Sequence, residues 1–435
     1  MKIGGIIAEY NPFHNGHKYQ IKEFKERYNI THLVVAMSGN FIQRGGPAII
    51  DKFTRANMAV ENGVDLVIEI PAYMATQTAE IYARGGILAL NSLKCVDLLC
   101  FGSEEGNIKK IHEAASVAIG KKGDFEESIC NYLNAGDSFP VAREKAILDN
   151  LRKKNENVDN KESLEKSDEE EFLRKPNNIL GIEYIKELIR LDSNIKPVTI
   201  KRLGSEHKNE FLDAKISSAT SIRKVIESNL YNGDLGICNI QNHMPYSSYK
   251  LLGKYINEGY NPIFDESFYS EICMEVIRSE ENLEEYFEVK DGLEKSIRAK
   301  ISTSDSLEDA VNHISTKAYT KAKVRRCLFN ILLGIRKSDI ESIKEIYSLP
   351  YIRVLGFNDR GKEILKKVKK DMSEVIIGPA KSKKGTEYNK NILYKLMLDF
   401  DLRSSNIYYQ KACMNNRKLL NKGEIDYIIM HRLFK

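Results

Sequence analysis

The chain has 435 residues, which predicts two or three domains rather than a single core. Hydrophobic residues make up 42% and charged residues 29%, a balance typical of globular proteins, and the formal net charge is only +5. No run approaches the roughly 20 apolar residues of a membrane span, and the first apolar run is too short for a signal peptide. The seven scattered cysteines contain no CxxC pair, so we predict no metal site and expect a cytoplasmic protein.

The amino-terminal part alternates short apolar runs with segments of helical spacing. Strands are predicted at Ile3–Ala8, Leu33–Met37, Asp65–Ile70 and Val96–Phe101, and helices at His17–Tyr28, Asp51–Asn62 and Thr78–Leu93. Near-continuous apolar strands joined by helices are typical of a sheet covered on both faces, so the predicted fold class is α/β with a Rossmann-like parallel sheet. Ligands bind such sheets at the carboxyl ends of the strands, where Asn11–His17 and Gly102 fall.

The pattern changes twice further along the chain. Residues Asp149–Lys175 are rich in charge and poor in apolar positions, which predicts a mobile, solvated insertion in a loop. Later helices are predicted at Gly181–Leu191, Ser218–Ser228, Ser304–Leu333 and Ser338–Ser348, and strands at Pro197–Lys201 and Tyr351–Gly356. We therefore predict a nucleotide-binding domain over residues 1–240, with the insertion at about 150–175, and a mainly helical, partly basic region over 241–435.

The segment between the first strand and the first helix carries the sequence His14-Asn15-Gly16-His17. A helix start presents free N–H groups and the positive end of the helix dipole, which suits a triphosphate, and Gly16 allows close backbone approach. The imidazoles of His14 and His17 can both donate hydrogen bonds to phosphate oxygens and stabilise charge at a reacting phosphorus. We predict that both are catalytic, the alternative being ordinary loop and cap residues.

A second phosphate-binding pattern occupies Ser218-Ala219-Thr220-Ser221-Ile222-Arg223. A helix start rich in Ser and Thr is an N-cap, and Arg223 in the first turn can add a charge-assisted phosphate contact. Together with the HxGH sequence it resembles the nucleotidylyl-transferase superfamily, in which Ala219 would usually be Ser. This resemblance implies that Ser221 and Arg223 contact ATP.

Three longer runs resemble a particular family. Residues Gly5–His17, Met37–Gly45 and Pro176–Gly181 together are similar to the bacterial tRNA(Met) cytidine acetate ligases, and the similarity continues thinly to Val354–Phe357. The charged stretch Lys153–Glu171 lies outside the shared pattern. The resemblance implies two steps: ATP and acetate give acetyl-adenylate and pyrophosphate, and the acetyl group then passes to N4 of the wobble cytidine in elongator tRNA(Met).

The same resemblance implies which residues hold ATP. They comprise the segment after the first strand and three residues at later strand or helix ends: Ile7, Ala8, Glu9, Tyr10, Asn11, Pro12, Phe13, His14, Asn15, Gly16, His17, Lys18, Tyr19, Gln20, Gly102, Asn178 and Arg202. Asn177 is an alternative to Asn178. Mg²⁺ normally accompanies ATP phosphates and is expected here too.

The loop Ser38–Pro47 follows the second predicted strand and therefore lies at the ligand edge of the sheet. Its polar side chains and three glycines suit a loop that folds over a small anion. We predict that Asn40 and Arg44 bind acetate, with a solvated turn as the alternative.

Basic residues cluster in the carboxyl-terminal half, together with tyrosines such as Tyr408 and Tyr409. The basic positions are Lys321, Lys323, Arg325, Arg326, Arg336, Lys337, Lys362, Lys366, Lys367, Lys369, Lys370, Lys381, Lys383, Lys384, Arg417 and Lys418. Basic faces with aromatic side chains suit phosphate backbones and unstacked bases, so we predict a tRNA-binding surface. Residues Lys381–Gly385 are similar to the KMSKS loop of synthetases but lack its Met, and are better assigned to this surface.

Two other functions stay open at this point. One is a small-molecule adenylyltransferase that makes a dinucleotide cofactor, and the other is a non-catalytic, nucleotide-sensing RNA-binding protein. The intact pair His14 and His17 disfavours the second. The roughly 200 residues beyond the nucleotide domain disfavour the first, because typical domains suffice for small substrates.

Overall fold

The computed structural model describes residues 1–119, 124–156, 166–202, 218–231, 237–290, 292–368, 375–376 and 390–416. Its strands are β1 Ile3–Ala8, β2 His32–Ser38, β3 Leu66–Ile70, β4 Leu98–Ser103, β5 Lys196–Lys201, β6 Ile352–Phe357 and β7 Val375–Ile376. Helices α1 to α9 are Asn15–Tyr28, Lys52–Glu61, Ala72–Ala75, Ala79–Ser92, Ile108–Ile119, Asp124–Asn134, Phe139–Glu156, Lys166–Arg174 and Pro176–Arg190. Helices α10 to α18 are Ala219–Tyr231, Tyr246–Asn257, Tyr269–Arg278, Leu293–Lys300, Leu307–Ile314, Lys321–Leu333, Lys337–Lys344, Asp359–Val368 and Ile392–Ala412. Short 3-10 helices span Cys238–His243, Asp265–Phe268, Glu280–Glu285 and Ile301–Thr303.

The described strands form one sheet in the order β5-β4-β1-β2-β3-β6-β7, and its first five strands are parallel. Strand β1 lies inside the sheet, with β2 on one side and β4 on the other, because nearly all of its residues are apolar or glycine and buried. Helix α4 packs so closely on β1 that a Cβ on Gly86 would lie 2.7 Å from the Ile7 side chain. The predicted α/β class with a Rossmann-like parallel sheet and a helical carboxyl-terminal region is confirmed.

Strand β6 comes from the carboxyl-terminal half but extends the sheet by pairing antiparallel with β3. The strand predicted at Tyr351–Gly356 is thereby confirmed, and its place in the sheet could not be read from its sequence. One hydrophobic core, which includes residues of both halves, surrounds the sheet. The predicted domain boundary at residue 240 stays a prediction. Strand β6 lies after that boundary in sequence but pairs with β3, which lies before it.

Three local predictions were wrong or incomplete. The charged stretch at 149–175 was predicted to be a solvated loop, but its described residues are helical. Helix α7 runs to Glu156, and α8 follows and buries Phe172 and Leu173. Helix α9 begins at Pro176, five residues before the predicted start, since proline is well suited to the first helical turn. The single helix predicted at Ser304–Leu333 is two helices, α14 and α15; Thr320 caps the second by accepting the Lys323 N–H.

Within the described residues, no helix combines the length and the apolar character needed to cross a bilayer.

Candidate active site

A cavity of about 360 Å³ opens at the carboxyl ends of β1, β4 and β5, where the sheet order places the loops that follow these strands side by side. Its lining comprises Ile7, Ala8, Glu9, Tyr10, Asn11, His14, Gly16, His17, Tyr19, Gln20, Gln43, Tyr82, Phe101, Gly102, Asn177, Leu180, Tyr184, Ile200, Lys201, Arg202, Ser218 and Ala219. The cavity therefore occupies the position expected for the ligand of a parallel α/β sheet.

The two histidines of the HxGH sequence stack on each other at the start of α1, with ring centroids 3.7 Å apart. His14 is the N-cap, and its Nδ1 accepts the Gly16 N–H at 3.0 Å. His17 closes the capping box, because its Nδ1 accepts the His14 N–H at 3.2 Å. A neutral imidazole that accepts at Nδ1 carries its proton on Nε2. Helix capping thus fixes both rings in the tautomer that leaves an Nε2–H donor available for a ligand.

Burial keeps both rings neutral. Desolvation, followed by the nearby charges of Arg202 and Arg223, lowers the pKa of His14 to about 4. Desolvation and His14 lower the pKa of His17 well below its usual range. Both imidazoles are therefore uncharged donors at neutral pH, in a wall where Arg202 supplies positive charge.

Because both histidine rings are neutral in the folded protein, we expect the fold to lose stability in acid. Because the folded pKa of His14 is lowered from about 6.5, the unfolded chain binds protons that the folded chain does not, and stability falls as the pH drops from 6.5 towards 4. His14 alone should account for roughly 3 kcal/mol of this loss, at 1.36 kcal/mol per pKa unit. Urea unfolding at several pH values measures it. His14→Asn keeps an N-cap acceptor without a titrating ring, so its stability should fall less steeply; equal slopes would contradict the assignment.

Most of the predicted segment Ile7–Gln20 lines the cavity, and four of its members do not. Pro12 and Phe13 are buried, and Lys18 is exposed. The Asn15 side chain donates to the backbone carbonyl of Asn242 at 2.9 Å. The sequence motif is thus part ligand wall and part structural support.

Gly102, near the end of β4, and Arg202, directly after β5, both line the cavity, and their contact with ATP stays a prediction. A Cβ on Gly102 would lie 3.1 Å from Cγ of Arg202, so the glycine leaves room for that side chain. Asn177, rather than Asn178, lines the cavity and accepts from Arg202 Nη1 at 3.0 Å. The Asn178 side chain is fully buried and donates to the carbonyl of Phe172 at 3.0 Å, which gives it a structural contact.

The second motif begins α10 and closes the cavity on one side. Ser218 and Ala219 line it, and the Ser218 hydroxyl caps the helix by accepting the Ser221 N–H at 3.1 Å. Arg223 is held by the first motif, since its Nη1 donates to the carbonyl of Asn11 at 2.7 Å. Ser221 and Arg223 therefore lie beside the cavity lining, and their contact with ATP stays a prediction.

The loop predicted to bind acetate reaches the cavity through Gln43. Asn40 is buried: its Oδ1 accepts the Lys52 N–H at 2.8 Å, while its Nδ2 donor has no hydrogen-bond partner among the described residues. Arg44 is exposed and does not line the cavity. Acetate binding by Asn40 and Arg44 stays a prediction. Because Gln43 is the residue of this loop that lines the cavity, the arrangement favours acetate contact with Gln43 over contact with Asn40 or Arg44.

Sequence analysis missed two buried tyrosines and one buried arginine. Tyr82 on α4 and Tyr184 on α9 line the cavity from helices, and burial raises the pKa of both hydroxyls. Arg55 on α2 donates to the carbonyls of Glu9 and Gly39, which follow β1 and β2, and so ties the two loops together. Helical spacing alone assigns such residues to the core, and no local signal distinguishes them.

The basic positions differ in their partners. Arg326 makes two 2.9 Å hydrogen bonds to the Glu288 carboxylate, and Arg325 pairs with Asp265 and Glu308. Lys366 and Lys367 are exposed on α17. Lys369, Lys370, Lys381, Lys383, Lys384, Arg417 and Lys418 lie outside the described residues.

The expectation that Tyr408 and Tyr409 serve an RNA surface was wrong. Both side chains are fully buried in α18. The Tyr408 hydroxyl donates to the carbonyl of Ala48 at 2.9 Å, so this ring packs in the core against the loop before α2.

Comparison with known proteins agrees with this geometry over nearly the whole chain. The family model described as HIGH Nucleotidyl Transferase matches residues 1–422. A tRNA(Met) cytidine acetate ligase of Caldanaerobacter subterraneus subsp. tengcongensis is 38% identical over 94% of this chain and 95% of the relative. The protein of the same name from Clostridium perfringens strain SM101 is 38% identical over the full length of both.

A solved structure is similar as well. The crystal structure of Thermotoga maritima TmcAL bound with alpha-thio ATP superimposes with a TM-score of 0.83 at 30% identity, covering 95% of each chain. The chain therefore belongs to the HIGH nucleotidyl transferases and, among them, to the tRNA(Met) cytidine acetate ligase family.

Proposed function

We propose that this protein is an ATP-dependent ligase that activates acetate as acetyl-adenylate and transfers the acetyl group to N4 of the wobble cytidine of elongator tRNA(Met). The observation that carries the proposal is the stacked pair His14 and His17, whose Nε2–H donors are available at a cavity on the carboxyl edge of the sheet. Two neutral donors side by side in the cavity wall suit the charge that develops on the α-phosphate and on the departing pyrophosphate.

The walls of the cavity suit the rest of ATP. Phe101, Gly102 and Leu180 offer a flat apolar surface for a base, and Asn177 and Arg202 offer polar groups for hydroxyls or phosphates. Within the described chain, no group of three or more His, Cys, Asp or Glu side chains is arranged to hold a metal ion. We propose that Mg²⁺ enters with the triphosphate, which supplies most of its oxygen ligands.

The experiment measures exchange of labelled pyrophosphate into ATP with and without acetate, followed by analysis of tRNA for N4-acetylcytidine. Acetate-dependent exchange and acetylation of elongator tRNA(Met) are the expected results. Exchange that requires nicotinamide mononucleotide or phosphopantetheine instead would replace the ligase with a small-molecule adenylyltransferase. Acetylation of cytidine in initiator tRNA alone would overturn the proposed specificity.

We further propose that α17 belongs to the tRNA surface, because Lys366 and Lys367 are exposed side by side. Reversing both charges should weaken tRNA binding on the order of tenfold at physiological salt and leave acetate-dependent exchange intact. The matched control reverses exposed Lys22 on α1 and exposed Lys109 on α5, which changes the net charge equally. Equal affinity loss in both double variants would indicate a general charge effect and contradict a specific surface.

A further inference from the structure

Acyl transfer to an amine requires an acceptor for the amine proton. The lone pair of cytidine N4 attacks the carbonyl carbon of the acetyl-adenylate, and the new C–N bond forms as the bond from that carbon to the adenylate oxygen breaks. AMP leaves with the bonding electron pair, and one N4 proton must pass to a base. A positioned side chain commonly takes this role and accelerates the step by roughly 10²–10⁴-fold.

Most titratable groups on the described cavity wall are unable to accept that proton. Both histidines already use Nδ1 to accept a backbone N–H and carry the proton on Nε2. The lining tyrosines keep their protons at neutral pH, because burial raises the pKa of each hydroxyl; they are Tyr10, Tyr19, Tyr82 and Tyr184. The cations Lys201 and Arg202 are proton donors.

Glu9 is the one carboxylate among the described residues that line the cavity. It follows β1 directly, and two contacts fix its position. Its Oε1 accepts the Gln43 N–H at 3.1 Å, and its backbone carbonyl accepts from Arg55 Nη1 at 2.5 Å. Within the described part of the chain, no Lys, Arg or His side chain forms an ion pair with this carboxylate, which is thus held at the wall as an available base.

The sheet order also places Glu9 between the side of the cavity proposed for the nucleotide and the side that faces the loop after β2. Gly102 belongs to β4 and Arg202 directly follows β5, both on one side of β1, whereas Gln43 follows β2 on the other side. A nucleotide bound against Gly102 and Arg202, with its α-phosphate at the histidines, leaves the side of Glu9 and Gln43 for the acyl group and the incoming amine.

We propose that the Glu9 carboxylate accepts the N4 proton as the amine attacks the acetyl-adenylate, which makes it a catalytic residue of the second step rather than a ligand of ATP. This inference rests on the proposed function. It requires that loss of the carboxylate slows acetyl transfer far more than it slows adenylate formation.

The test compares the two steps in Glu9→Gln and Glu9→Asp. Gln keeps the size of the side chain and an oxygen for the Gln43 N–H, whereas Asp keeps the base. Adenylate formation is followed by trapping with hydroxylamine as acetyl hydroxamate, a reaction that needs no base from the protein. Transfer is followed in a single turnover with elongator tRNA(Met). Glu26→Gln, an exposed carboxylate on α1, is the matched control.

We expect Glu9→Gln to slow transfer by at least about 100-fold while hydroxamate formation falls by less than tenfold. Glu9→Asp should retain more transfer than Glu9→Gln, an order that a purely structural role would not produce. Equal loss of both reactions in Glu9→Gln would assign Glu9 to ATP or acetate binding and overturn the inference, and so would unimpaired transfer. If the unmodified protein forms no acetyl hydroxamate and no N4-acetylcytidine, the proposed function fails, and this inference fails with it.

Discussion

Replacing His14 or His17 by Ala should lower acetate-dependent pyrophosphate exchange by 10²–10³-fold or more while leaving tRNA affinity within about twofold. Loss of one preorganised donor to a developing charge typically costs about 2.7–4 kcal/mol of transition-state stabilisation. The affinity for tRNA is expected to survive because the exposed lysines proposed to bind it lie on α17, which contacts Thr31 and His32 at the amino end of β2, whereas His14 and His17 line the cavity at the carboxyl edge of the sheet. Exchange kinetics and a tRNA-binding titration on the same preparations make the comparison.

A companion variant separates chemistry from helix capping. His14→Asn retains a side-chain oxygen that can accept the Gly16 N–H but has no Nε2–H, so it should fold normally and still lose exchange. His112→Ala, at an exposed position of α5, serves as the control and should be fully active. Exchange near the unmodified rate in His14→Asn would show that the ring acts only as a cap.

Replacing Lys52 by Met should destabilise the fold by about 3–5 kcal/mol, because it breaks a fully buried ion cluster. Lys52 Nζ donates to both oxygens of Glu69 at 3.0 and 3.1 Å and to the Ser405 hydroxyl at 3.0 Å. Arg353 contacts Glu69 at 3.1 Å and Asp401 at 3.7 Å. Without Lys52, two buried carboxylates would share one cation. Urea denaturation at pH 8 measures the change in free energy of unfolding.

The effect of pH and of a second substitution on the stability of Lys52→Met tests this prediction further. Burial, followed by the charge of Glu69, raises the pKa of Asp401 to about 6, so Asp401 takes up a proton below that pH and the Lys52→Met penalty should shrink at pH 5. Lys52→Met combined with Glu69→Met leaves Arg353 and Asp401 as a balanced pair and should recover part of the loss. Lys22→Met removes an exposed pair and should cost less than about 1 kcal/mol. A similar loss for Lys52 and Lys22 would contradict the cluster's role.

That cluster also shows how the two halves of the chain are joined. Lys52 lies on α2, Glu69 on β3, Arg353 on β6 and Asp401 on α18, so four distant segments meet at one buried point. On the same helix as Lys52, Arg55 holds the carbonyls of Glu9 and Gly39. Helix α18 is thereby connected through α2 to the loop that follows β1, and β6 completes the sheet beside β3.

Local sequence was sufficient to predict the parallel strands and to place the HxGH motif at the start of α1. Continuous apolar runs of strand length have one stable environment, a sheet buried on both faces, and His14 and His17 act through contacts within three residues of each other. The same locality explains the predicted N-cap at Ser218 and the position of Gly102 at a strand end.

Only the tertiary structure decided which remote side chains complete the site and how the sheet ends. Asn177 lines the cavity and Asn178 does not, because α9 starts at Pro176 and successive helical residues point in directions about 100° apart. Tyr82, Tyr184 and β6 have ordinary core patterns, so their partners depend on how distant segments pack. The local pattern of the sequence determined the helices, the strands and the position of the HxGH motif. The buried charges and the cavity wall depend on contacts between residues that lie far apart in the chain, often by hundreds of positions, and a local pattern does not encode such contacts.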